Sequence, residues 1–73
     1  MTTPRTAPPS VSVGVLRLAA DRLAQEATGW LALAATCAAC RWSAGAVYCL
    51  AEHERASRDY LTISIELAGT RRA

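Results

Sequence analysis

The stretch Cys37-Ala38-Ala39-Cys40-Arg41-Trp42-Ser43, with Cys49 and His53 beyond it, carries the reading of this 73-residue chain. Written as spacing it is C-x2-C-x8-C-x3-H, which places four soft or borderline ligands close together in sequence. A two-residue gap lets one tight turn present two thiolates, and tetrahedral structural zinc takes Cys and His ligands in this number. So short a domain buries a marginal core, and a metal is one way to staple it. The spacing therefore predicts a Cys3His shell of Cys37, Cys40, Cys49 and His53 around a structural Zn2+. Such a shell is closed and leaves no position for a metal-bound water.

Downstream of the knuckle, Ser43 suits an N-cap, and a helix is expected over about 44–57. On it Ala46, Cys49, Leu50, His53 and Ser57 share a face, with Cys49 and His53 one turn apart. Cys49 also fits as a small core residue; in that case Asp59, six residues after His53, is the alternative fourth ligand.

Two segments alternate with period two. Val11, Val13 and Val15 alternate with Ser10, Ser12 and Gly14; Leu61, Ile63, Ile65 and Leu67 alternate with Thr62, Ser64 and Glu66. Both patterns predict half-buried strands, the second ended by Gly69. Trp30 to Thr36 fits a buried strand leading into the knuckle, although its alanines suit a helix equally. Between them Leu16, Ala19, Ala20, Leu23 and Ala27 fall at helical spacing, with Gly29 as a suitable stop, or the same residues form a long hairpin.

Composition bounds the rest. Hydrophobic residues make up 52% and charged residues 19%, which excludes a disordered chain. The net charge of +2 is too small to argue nucleic-acid binding by electrostatics alone. Residues 1–10 read as a disordered Pro-rich tail, 11–69 as one small domain and 70–73 as a basic tail. The tail lacks the apolar core of a secretory signal, so a reducing cytoplasm is expected, where stable disulfides do not persist. Gly29 to Ala51 is long and mostly apolar, but Arg41 at its centre carries an insertion cost of roughly 2.5–3.5 kcal/mol. The segment reads as soluble.

Several uses compete for the motif residues. Free cysteines are commonly plain core residues, and a histidine on an apolar helix face is commonly a satisfied one. Cys37 and Cys40 can be read as a redox dithiol with Arg41 as the neighbouring cation, but the chain is too short for a thioredoxin-like scaffold. Arg41 and Trp42 are candidate binding residues, a cation and an indole able to stack on a base or grip a peptide. The competing reading has Trp42 capping the core and Arg41 solvated. No nucleophile–base arrangement or phosphate-cradling loop is present, so no enzyme is expected.

The run C-A-A-C-R-W, then a helix ending A-E-H and a segment D-Y-L-T-I-S-I, resembles small actinobacterial and phage zinc-ribbon or treble-clef-like proteins over residues 30–67. Cys37, Cys40 and His53 match the ligand pattern of that family; its second His is missing, with Asp59 in its place. The resemblance implies a structural metal and an adaptor or nucleic-acid role. Together these readings predict an α+β domain: a small antiparallel sheet, one main helix and a Cys/His zinc knuckle. The alternative is an all-α helical hairpin. The expected function is a non-catalytic structural-zinc interaction module binding a protein partner. The alternatives are a nucleic-acid-binding zinc protein, or a metal-free helical interaction or membrane-associated peptide.

Overall fold

Every third and fourth residue from Leu16 onward is apolar: Leu16, Ala20, Leu23, Ala27, Trp30, Ala34, Cys37. That alternating spacing keeps one stripe on one side of a helix. The computed structural model, which describes residues 12–72, holds this stripe on a continuous helix α1, Val13–Ala39. A second helix, α2, Ser43–Arg72, folds back antiparallel against it. Ala46, Cys49, His53, Ala56, Ile63 and Leu67 repeat the spacing on α2 and are buried or half-buried there. The result is a rod with extents of 58 × 22 × 15 Å.

The α+β expectation is overturned. Among the described residues there is no strand, and the architecture is the all-α helical hairpin given as its alternative. Val11 lies outside the described residues. Ser12, in extended conformation, caps α1: its hydroxyl accepts from the Val15 amide at 3.2 Å, and its carbonyl accepts from Leu16 at 3.0 Å. Val13 and Val15 therefore sit in the first turn of a helix, not on a strand. Trp30 to Thr36 lies wholly within α1, and the chain runs through Gly29 without stopping.

The main helix expected over 44–57 is in fact α2, whose first residue is Ser43; the Trp42 carbonyl accepts its first bond, from Ala46 at 3.1 Å. α2 passes through Gly69 and includes residues 70–72, read from sequence as a tail. The Leu61–Leu67 alternation has a helical cause. Ile63 and Leu67, one turn apart, face α1 and are half-buried, while Leu61 and Ile65, also one turn apart, face outward at 60% and 71% exposure. Residues two apart lie on nearly opposite sides of a helix, so two stripes produce the period of a strand.

Helical threonines are accommodated by local bonds. The Thr28, Thr36, Thr62 and Thr70 hydroxyls donate to the carbonyls of Ala24, Ala32, Arg58 and Glu66. Each satisfies its hydroxyl on the preceding turn.

The seam between the helices is made of small residues. The buried apolar set is Ala20, Ala27, Ala34, Cys49 and Ala56, with Ala56 at 0% exposure. Alanine every seventh residue on α1 brings its backbone close to α2, so the packing is tight but thin. Leucine at position 56 has no space to occupy and must push the helices apart. We expect Ala56→Leu to lower stability by roughly 1–3 kcal/mol, seen as a drop in the circular-dichroism melting temperature; an unchanged melt would show that the helices are not in close contact.

The reversal between the helices is built by hydrogen bonds. Trp42 donates its amide to the Cys37 carbonyl at 2.8 Å and Arg41 donates to Ala38 at 3.0 Å. This pair of bonds is the Schellman motif, and its left-handed residue is Arg41, at φ 64°. Side chains other than glycine hold that conformation at a cost. The Trp42 indole then lies over Gly45, where a Cβ would stand 2.5 Å from its Cε3, so only glycine admits the ring. We expect Arg41→Gly to raise stability by about 0.5–1 kcal/mol and the melting temperature by several degrees; a decrease would place the turn's geometry outside the Schellman pattern.

Candidate functional site

The residues singled out by sequence are distributed along the hairpin, and α1 and α2 set where each one lies. Cys37 occupies the last position of the α1 stripe and is half-buried; Cys49 occupies the α2 stripe and is buried. The Cys37 thiol is near enough to Cys49 to influence its ionisation. Cys40 is the residue that ends α1 and is exposed. The C-x2-C spacing thus spans the final turn of a helix and its cap.

His53 lies one turn beyond Cys49 on α2, and its Nδ1 donates to the Ala27 carbonyl at 2.7 Å. A carbonyl only accepts, so Nδ1 carries the proton. The contact reaches past the small methyl of Ala27 onto the α1 backbone and ties the two helices together. It also separates the imidazole from Cys37: Ala27 and Cys37 are ten residues apart on one helix, about 15 Å of rise. Asp59, the alternative ligand, is exposed and accepts from Arg55 Nη1 at 3.5 Å. Among the described residues no group of three or more His, Cys, Asp or Glu side chains is gathered where a metal ion could be held. Zinc needs its sulfurs at about 2.3 Å and its nitrogen at about 2.0–2.1 Å from one point. Cys37, Cys40, Cys49 and His53 are not gathered into such a group among the described residues.

The Cys49 thiol is held above its ordinary value of 9.0, first by burial and then by the charge and the hydrogen bond of Cys37. A thiol in that setting is a poor nucleophile. Arg41 and Trp42 are both exposed on the turn, Trp42 at 63%, so the indole does not cap the core. It lies over Gly45.

One polar cluster was missed by the sequence reading. Arg55 Nη2 bonds Glu26 Oε2 across the helices at 2.9 Å and Glu52 Oε1 on its own helix at 2.9 Å. The Trp30 indole nitrogen donates to the same Glu26 oxygen at 3.2 Å and its ring meets Tyr48 edge-on, centroids 5.8 Å apart. The available signal was the i,i+4 pairing of Glu26 with Trp30, visible only once α1 is taken as helix. Glu26 is held below its ordinary value of 4.5, chiefly by the Trp30 bond and then by Arg55. These are exposed groups, and their contribution is small and screened by salt.

Comparison with protein-family models gives no match, and neither the curated proteins nor the solved structures contain a similar chain. Among the described residues no helix is long and apolar enough to cross a membrane.

Glu26 and Cys49 bound stability from opposite sides. Glu26 has a lowered folded value, so its contribution is present above pH 4.5 and is lost as the pH falls through the folded value. Cys49 has a raised one, so its contribution is complete below pH 9.0 and is lost as the pH rises through the folded value. Thermal melts across pH should fall at both ends. Glu26→Gln should flatten only the acid limb; flattening of the alkaline limb instead would contradict the assignment.

Proposed function

We propose that this chain is a non-catalytic helical interaction module that docks on a protein partner through apolar side chains left outside its hairpin. One observation carries the reading. The seam buries alanines and a cysteine, whereas Leu18, Leu31, Leu33, Val47, Leu61 and Ile65 are exposed. A hairpin that turns its larger aliphatic residues to water gains most of its missing burial by association. The tethering of His53 to a carbonyl and the muted Cys49 thiol fit a structural use of both residues and no catalytic one. A reducing cytoplasm suits three free thiols.

A second reading has the exposed pair Arg41 and Trp42 binding nucleic acid from the turn. It draws on their exposure alone, since the net charge of +2 adds little attraction for phosphates. Binding of this kind would weaken steeply with salt, whereas apolar docking would not.

The test is site-specific photocrosslinking in the cells that make the protein. A photoreactive residue replacing Leu61 or Leu33 should yield discrete adducts, while one replacing Gln25, on a polar side of α1, should yield none. Equal labelling at all three positions, or no adduct at any, would remove the reading.

A further inference from the structure

The side of α2 turned away from α1 carries a second stripe with the same three-and-four spacing: Ala44, Val47, Ala51, Glu54, Arg58, Leu61, Ile65, Ala68. All eight are exposed. Read outward from residue 56, this stripe is a palindrome in chemical type. Glu54 on one side answers Arg58 on the other, Ala51 answers Leu61, Val47 answers Ile65, and Ala44 answers Ala68. A stripe of that kind is complementary to its own reverse.

We propose that the occupant of this face is a second copy of the chain, its α2 antiparallel to the first and related by a twofold axis at residue 56. This rests on the interaction-module reading and names the partner for α2. A twofold contact uses the same patch on both copies, so residue i meets j and j meets i. Here Glu54 of each copy faces Arg58 of the other, giving two reciprocal ion pairs at the centre. On either side a small residue faces a large one: Ala51 opposite Leu61, then Val47 opposite Ile65. The stripe keeps one register throughout, each position of one heptad class meeting the complementary class of the other copy, as antiparallel coiled coils require. It spans about 36 Å from Ala44 to Ala68 at 1.5 Å per residue. Because the two seams lie on opposite sides of α2, the assembly is a row of four helices, with each α1 at an outer edge.

The charged centre supplies a decisive experiment. Sedimentation equilibrium of the full chain should show a monomer–dimer equilibrium. E54R and R58E alone each turn both central pairs into repulsions and should raise the dissociation constant at least roughly tenfold. Mixed in equal amounts, the two variants should form a heterodimer, because every charge introduced in one then meets its opposite in the other. The doubly substituted E54R/R58E chain should dimerise with itself again. Circular dichroism of each variant checks that helicity is kept. Loss of the pairing within one helix cannot produce recovery on mixing, so that recovery separates the intermolecular contact from a local effect. A wild-type chain that stays monomeric, or a mixture no tighter than either single variant, overturns the proposal. If photocrosslinks at position 61 then lead to a different protein, the module reading stands and only the identity of its partner changes.

Discussion

The close approach of α1 and α2 governs the rest of the molecule. Ala20, Ala27 and Ala34 recur every seventh residue and meet Cys49 and Ala56 from the other helix. Small side chains allow backbones to approach, and approach is what lets His53 reach the Ala27 carbonyl at 2.7 Å. A leucine at position 27 would cover that carbonyl. The imidazole bond, the Trp30–Tyr48 ring contact and the Arg55–Glu26 bridge all follow from this spacing. None of them could form across a seam widened by leucines.

A seam of alanines has a consequence for function. Burial is favourable in proportion to apolar area, at about 25 cal/mol per Å2, and alanine offers little of it. Leu16, Leu23, Ile63 and Leu67 are only half-buried, and many larger aliphatic residues, Leu18, Leu31, Leu33, Val47, Leu61 and Ile65 among them, stand outside on a rod too slender to enclose them. A two-helix hairpin has no third layer in which to place them, and folds of this class bury a helix stripe only against another element. The same geometry that fixes the hairpin therefore leaves its apolar surface exposed.

Part of this was legible from residues alone. Leu16, Ala19, Ala20, Leu23 and Ala27 allowed a helix or a long hairpin, and the helix is the observed one. The stop was harder to place. Gly29 suggested one, yet nothing crowds or bends the chain there, and the true stop uses Arg41 in the left-handed conformation where glycine is the usual signal. The Leu61–Leu67 strand reading failed because alternate apolar residues on a helix that is apolar on both sides mimic the period of a strand. Leu61 and Ile65 belong to one face, Ile63 and Leu67 to the other. The cysteine spacing has a helical origin as well. Cys37 and Cys49 are seam residues at heptad positions, and Cys40 sits three residues after Cys37 because the cap comes one turn after the last seam position. Tertiary pairing, absent from local spacing, separates a metal knuckle from the end of a helix.

The outward stripe of α2 shows how a charge can specify what apolar residues only favour. Ala44, Val47, Ala51, Leu61, Ile65 and Ala68 alone would pair with themselves in several registers, since aliphatic layers displaced by one heptad pack nearly as well. Glu54 and Arg58 remove that freedom. Shifted by seven residues, Arg58 of one copy meets Leu61 of the other, and each charge loses its partner against an apolar surface. Such a mismatch is costly in the partly dry centre of an interface, whereas the matched layer is close to neutral. The pair thus contributes little to affinity and much to uniqueness. It occupies the twofold axis, the one place where two residues per chain set the register of the whole assembly.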